Sequence, residues 1–192
     1  MCDCETGDVP AEEGSDALGF ESDLWASANK MRGSMDASEY KHVVLPLVFL
    51  KYISDAFEDV HSTLVRKGRN PELRDEYTAQ GVFWVPENGR WNKVVENAMD
   101  PQIGIIIDDA MEAIERDNPE LRNVLPKTFG QSDLDPRVLG EVVTLFGNLP
   151  SFGDEDARSK DIIGRVYEYF IGKFAEAEKK GGGEFYTPRS VV

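Results

Sequence analysis

Asp36-Ala37-Ser38-Glu39-Tyr40-Lys41-His42-Val43-Val44-Leu45-Pro46-Leu47-Val48-Phe49-Leu50-Lys51-Tyr52-Ile53-Ser54-Asp55-Ala56-Phe57-Glu58-Asp59-Val60-His61-Ser62-Thr63-Leu64-Val65-Arg66 is the stretch that decides the fold class. Tyr40, Val43, Val44, Leu47, Leu50, Ile53, Phe57, Val60 and Leu64 recur at steps of three and four, the spacing that stacks side chains on one face of a helix. Asp36-Ala37-Ser38-Glu39 reads as a capping box, in which the Asp36 carboxylate accepts from the amide three residues on and Glu39 reaches back. One helix from about Asp36 to Arg66 is therefore expected. A kink is expected at Pro46, because proline removes an amide donor and crowds the preceding turn.

Outward from this helix the pattern stays helical. Before it, Leu24, Trp25, Ala28 and Met31 sit at helical spacing, and Gly33 supplies a stop. After it, Asn70-Pro71-Glu72-Leu73-Arg74 reads as a helix start, with Asn as cap and Pro at the first helical position. The same five residues recur at Asn118 to Arg122, but their flanks do not match, so this is one helix-start solution used twice rather than an internal repeat. Between them lie an extended Val82-Phe83-Trp84-Val85-Pro86 and a short helical pattern from Arg90 to Ala98. A further helix starts at Asp100-Pro101 and carries Ile103, Ile106, Ile107, Ala110, Met111 and Ile114. Another starts at Asp135-Pro136 with Leu139, Val142, Val143 and Phe146. Nothing outside Phe83 to Val85 alternates with period two, so the chain is expected to be mainly α, with a helical bundle domain over residues 22–150. Residues 151–160 read as a linker. A helix from about Asp161 to Lys179 follows, placing Ile162, Ile163, Val166, Tyr167, Phe170, Ile171 and Phe174 on one face.

Composition narrows the class. Of the 192 residues, 41% are hydrophobic and 30% charged, as in soluble globular proteins. The strongest apolar window, Val43 to Tyr52, is about half the roughly 20 residues a bilayer crossing needs and contains Pro46 and Lys51. No basic segment opens the chain, so no secretory signal is expected. The formal charge is −15, unevenly spread. Residues 1–22 hold seven acids and no Lys or Arg, and the remainder holds 29 acids against 21 bases. With Gly7, Pro10, Gly14 and Gly19 interspersed, residues 1–21 read as a disordered acidic leader, too polar to offset its chain entropy by burial. Cys2 and Cys4 lie there. A single Cys-x-Cys pair lacks the four ligands of a structural zinc site, and a disulfide across one residue is strained, so free thiols in a reducing cytoplasm are expected.

The residues by themselves spell out no active site. His42 and His61 are nineteen residues apart in one helix, about five turns, and cannot share a metal; each reads as a surface or packing residue. No Gly-x-Gly-x-x-Gly or Gly-x-x-x-x-Gly-Lys loop follows a strand. Both Asn-Pro pairs lack the second proline and aromatic of an Asn-Pro-Pro-aromatic amino-methyltransferase motif. Neither a catalytic residue nor a metal ligand is assigned in this chain.

Two blocks carry a resemblance. Leu24-Trp25-Ala26-Ser27-Ala28-Asn29-Lys30-Met31-Arg32-Gly33-Ser34-Met35-Asp36-Ala37-Ser38-Glu39-Tyr40-Lys41, continued in Phe49-Leu50-Lys51-Tyr52-Ile53-Ser54-Asp55, resembles the N-terminal helical domain of the methyltransferase (M) subunit of type I restriction-modification systems. Gly164-Arg165-Val166-Tyr167-Glu168-Tyr169-Phe170, continued in Gly182-Gly183-Glu184-Phe185-Tyr186-Thr187-Pro188-Arg189, resembles the lead-in to the same family's catalytic domain. Their order and separation fit the family, and Phe83-Trp84-Val85-Pro86 between them resembles a further family feature. Pro46 departs from the pattern, where a small or flexible residue is expected.

The resemblance implies an enzyme that transfers a methyl group from S-adenosylmethionine to N6 of adenine in DNA, on a base flipped out of the duplex. It implies that residues 161–192 begin a Rossmann-like α/β methyltransferase domain whose catalytic motifs are not in this sequence, leaving the fragment alone inactive. It places Glu184, Phe185, Tyr186, Thr187, Pro188 and Arg189 against the methionine end of the cofactor, where the Thr187 hydroxyl and backbone groups bond its carboxylate and ammonium and the aromatics wall the pocket. It implies a specificity (S) subunit, a restriction (R) subunit and double-stranded DNA as partners, in the cytoplasm, with the helical domain helping to close around DNA and to contact the S subunit. The acidity argues against a broad phosphate-binding face; Lys30, Arg32 and Lys41, or Arg66, Lys67 and Arg69, are either local backbone contacts or solvated helix surface. The competing reading is a freestanding acidic helical interaction module or DNA mimic.

Overall fold

The computed structural model describes residues 37–131 and 134–149 together with positions 151 and 172, and the side chains of the first helix from His42 onward. The expected helix before Gly33, the Asp36 cap, the linker and the helix from about Asp161 lie outside the described residues.

Five α-helices and three 3-10 turns make up the described part, with no strand among them: α1 (Ala37–Arg66), α2 (Asp75–Thr78), the turn Glu87–Gly89, α3 (Trp91–Glu96), α4 (Ile103–Asp117), the turns Pro119–Leu121 and Phe129–Gln131, and α5 (Pro136–Gly147). None of these helices is long and apolar enough to cross a membrane. α1 buries the stripe read from its periodicity, with Val44, Leu47, Leu50 and Phe57 fully out of solvent. It runs on through Pro46. Proline forfeits only one main-chain bond there, and the buried neighbours on either side more than offset that loss at about 1.5–3 kcal/mol each. α5 starts as expected: Pro136 holds the first position and the Asp135 carboxylate accepts from the Arg137 amide at 2.9 Å.

α4 is the hub. It packs against the Phe129–Gln131 and Glu87–Gly89 turns, α5, α3 and the Pro119–Leu121 turn, while α1 packs on α3 and α5. Ile103, Ile107, Ala110, Met111 and Ile114 of α4 are fully buried. Asp100-Pro101 proves to be a lead-in turn rather than the helix start: Asp100 Oδ1 accepts from the Gln102 amide at 2.7 Å, and α4 begins at Ile103.

Both Asn-Pro starts need correction. Asn70 Oδ1 accepts from the Glu72 amide at 3.0 Å, as in a local turn, but residues 71–74 do not become helical and α2 is a single turn further on. Asn118-Pro119 leads only into a 3-10 turn. Four to five residues cannot offset the cost of helix nucleation unless an apolar face continues, and neither segment has one.

Close packing sets the helix spacing at Gly140. A Cβ on this residue of α5 would lie 1.9 Å from the Ala98 carbonyl oxygen, a backbone atom just past α3. Gly140→Ala must therefore push α5 off α3. A loss of about 3 kcal/mol is expected in urea-monitored unfolding, at the upper end for an overpacked core.

Candidate functional site

Of the motif strips identified in the sequence, Phe49–Asp55 and Phe83–Pro86 fall among the described residues, and both send side chains into the core. On α1, Leu50 and Ile53 enter the core, while Lys51 is buried with its Nζ 2.7 Å from Asp55 Oδ2. Ser54, also buried, accepts from the Trp91 amide through Oγ at 2.7 Å. Arg90, at the cap position of α3, makes no capping bond of its own. The first orphan amide of α3 is thus satisfied from another helix, which fixes where α3 sits on α1.

The extended segment 82–86 lies across this arrangement. Its Trp84 is bracketed by the side-chain amide of Asn118, whose Oδ1 accepts from the Trp84 amide at 3.0 Å and whose Nδ2 donates to the Trp84 carbonyl at 2.9 Å. The same Nδ2 donates to Ile114 O at 2.7 Å. Asn118 is 5% exposed. A carboxamide with one donor and one acceptor group reproduces the pairing of a neighbouring strand, which explains how this extended segment is satisfied among described residues that form no sheet.

Trp84 completes an aromatic cluster. Phe57 and Tyr77 are stacked with centroids 4.6 Å apart, and Trp84 meets both edge-on at 5.3 and 5.2 Å. The Arg74 guanidinium lies 5.1 Å from the Trp84 ring centroid and that of Arg90 4.9 Å from Phe57, so cations cover the aromatic faces. Tyr77 is fully buried and donates through its hydroxyl to Pro71 O at 2.7 Å. Burial, with help from the Glu72 carboxylate, pushes its pKa up to about 12, against the opposing pull of Arg90.

Two acidic side chains on α4 organise loops. Asp108 accepts from the Phe129 amide at 3.0 Å and the Gly130 amide at 2.8 Å. Beside it, a Cβ on Gly104 would stand 2.5 Å from Phe129 O, so glycine is what lets this turn lie on the helix. Glu115, 6% exposed, accepts from the Leu125 amide at 2.7 Å and from Lys127 Nζ at 2.6 Å. Burial works to raise its pKa but is outweighed by the hydrogen bonds from Lys127 and from the Leu125 and Asn123 amides, so the group is held below the ordinary carboxylate value. Asn123 adopts a left-handed φ of 61°, which asparagine tolerates.

His42 is exposed and His61 half-buried, its ring 5.8 Å from Phe57, in line with surface and packing roles. Of the basic groups considered for DNA, Arg66 donates to Thr63 Oγ1 at 2.9 Å and Arg69 pairs with Glu76. No group of three His, Cys, Asp or Glu among the described residues is placed to hold a metal. Glu184 to Arg189 lie outside the described residues, as do Lys30 and Arg32. Asp108, Glu115 and the true role of Asn118 were missed in the sequence. Their partners stand between 10 and 34 residues away in the chain, and no local pattern marks such bonds.

Comparison with known proteins follows the same strips. The profile of the HsdM N-terminal domain matches residues 20–146. The chain belongs to the HsdM N-terminal domain family. A second profile, that of the N-6 DNA methylases, matches residues 158–192. The chain is 42% identical over 190 residues to the type I restriction enzyme MjaIX methylase subunit of Methanocaldococcus jannaschii, covering 90% of this chain and 34% of that protein. It is 40% identical over 93 residues to the HindI methylase subunit of Haemophilus influenzae, covering 45% of this chain and 21% of that one. The chain thus spans about a third or less of these relatives. A crystal structure of the type I restriction-modification methyltransferase subunit from Streptococcus thermophilus matches with a TM-score of 0.60 at 23% identity, over 90% of this chain and 41% of that one, a likeness of fold. Within the HsdM N-terminal domain, the aromatic cluster joins α1, through Phe57, to the Phe83–Pro86 motif, and the Asn118 clamp ties that motif to α4.

Two outcomes are expected. Asn118→Asp removes both donated bonds and sets a carboxylate against the Trp84 and Ile114 carbonyls; chemical denaturation should show a loss of about 3 kcal/mol. Tyr77 has a folded pKa above its unfolded one, so its contribution is fully present below pH 10.0 and is lost as pH rises towards about 12. Melting temperature should fall over that window in the wild type, and fall less steeply in Tyr77→Phe.

Proposed function

We propose that this chain is the N-terminal part of the modification subunit of a type I restriction-modification enzyme. The complete subunit methylates N6 of adenine in DNA with S-adenosylmethionine as donor. What supports the reading above all is the succession of two matches in one chain: the HsdM N-terminal domain over residues 20–146, then the N-6 DNA methylases over residues 158–192. The proposed organisation is an acidic leader over 1–21, a helical domain over 22–150, a linker over 151–160 and the beginning of the methyltransferase domain over 161–192.

In this proposal Glu184, Phe185, Tyr186, Thr187, Pro188 and Arg189 lie against the methionine end of the cofactor, which supplies an electrophilic methyl group when bound. Thr187 offers a hydroxyl to the cofactor's carboxylate or ammonium, and the rings of Phe185 and Tyr186 exclude water. The helical domain serves as a wall of the DNA-binding complex and a contact for the S subunit that reads the target sequence, with the R subunit joining the assembly. The inward orientation of Leu50, Ile53, Ser54 and Asn118 fits a rigid supporting domain rather than a second active site.

The test compares the 192-residue chain with a chain continued to the length of its relatives and co-expressed with its S subunit. Calorimetry should show S-adenosylmethionine binding by the continued chain and none by the fragment. Methyl transfer to adenine should require the S subunit, and Thr187→Ala in the continued chain should raise the Kd about tenfold, the worth of one good hydrogen bond. Tight cofactor binding by the 192-residue fragment, or a continued chain that never methylates adenine, overturns the reading and favours an acidic interaction module.

A further inference from the structure

The turn Glu87–Gly89 contains Asn88-Gly89, the one Asn-Gly pair in the sequence, which has no Asp-Gly pair. Glycine after asparagine leaves the side-chain amide open to attack by the next backbone nitrogen, because no Cβ hinders the approach. Asn88 is exposed, so its amide meets solvent. Gly89, by contrast, is held. Its amide donates to Pro86 O at 2.8 Å, and it is buried against α4, where an added Cβ would stand 3.0 Å from Ile114 Cγ1 and 3.3 Å from Ala110 O. Two residues on, the Trp91 amide is bonded to Ser54 Oγ of α1. The turn is thereby pinned on both sides.

We propose that Asn88–Gly89 is a deamidation site that the fold holds shut, and that its reaction in the opened chain prevents return to the native state. Reaction requires the Gly89 nitrogen to lose its proton and bond to Asn88 Cγ. The Cγ–Nδ2 bond breaks and the amide departs as ammonia with a proton taken from water. Water then opens the resulting five-membered imide at one of its two carbonyls, leaving aspartate or isoaspartate at position 88. The first step breaks the Gly89–Pro86 hydrogen bond and lifts the turn from Ile114, so it proceeds only through local opening. Isoaspartate routes the main chain through the former side chain and lengthens it by one carbon. Between Pro86 and the Ser54-bonded Trp91 amide, with Gly89 already in contact with α4, that carbon has no place. Aspartate adds only a charge at an exposed position.

The test incubates the full chain in mildly alkaline buffer, native and in denaturing urea, and follows residue 88 by peptide mapping that separates aspartate from isoaspartate. Deamidation at Asn88 is expected to be at least about tenfold slower in the native sample, in proportion to the population of the opened turn. On removal of urea, the aspartate product from the same tube should regain the native melting transition while the isoaspartate product does not. Equal rates in native and denatured samples would overturn the gating. An isoaspartate product that refolds with the native transition would overturn its consequence.

Discussion

Three polar side chains of α4 and its end hold the domain's non-helical segments in place, and the rest of the arrangement depends on them. α4 has neighbours around all but the face of Ile105, Asp109, Glu112 and Arg116, and a covered helix face can accept irregular chain against it only if that chain's amides and carbonyls find partners away from water. Asp108 supplies acceptors for the Phe129–Gly130 turn, Glu115 for the loop ending at Leu125 and Lys127, and Asn118 both a donor and an acceptor for Trp84. Hydrophobic burial gives the helix its cohesion, since Ile103, Ile107, Met111 and Ile114 lose all contact with solvent. The polar trio decides which loop lies where, because burial alone is indifferent to direction.

The charge balance takes on a different meaning in this setting. The net charge of −15 invites a search for an acidic surface with a function, yet acids such as Asp108 and Glu115 are spent inside the architecture. Lys51 and Asp55 form a largely buried pair within α1. Arg74 and Arg90 lie over aromatic rings. A count of formal charges cannot separate such groups from solvated ones, although a buried pair and a surface pair differ several-fold in what their loss costs.

Elements with a long apolar face were readable in the sequence. α1 and α5 appear at the expected positions, α4 carries the expected apolar residues but starts at Ile103 rather than Asp100-Pro101, and Asp135-Pro136 caps α5 as anticipated, since each signal lies within one or two turns of chain. The Asn-Pro pairs mark the limit. Asn70 and Asn118 sit in the same five residues, but one makes a local turn bond and the other clamps a segment 34 residues away. Asn118 sits directly beyond the C-terminus of α4, within reach of Trp84, whereas Asn70 follows the exposed end of α1. The candidate cofactor segment, Glu184 to Arg189, was legible through resemblance alone: a glycine run and a Thr-Pro turn carry no chemistry until a pocket forms around them.

By itself the sequence determined the helical class, the span of the long helix, the buried stripes and the family, because periodicity and ordered motifs are properties of adjacent residues. Tertiary structure alone decided that Ser54 caps a helix it does not belong to, that Gly140 admits the Ala98 carbonyl, and that Asn118 stands in for a strand. These roles depend on which backbone groups are left without water when helices meet. That outcome is set by the whole packing and is written in no single stretch of chain.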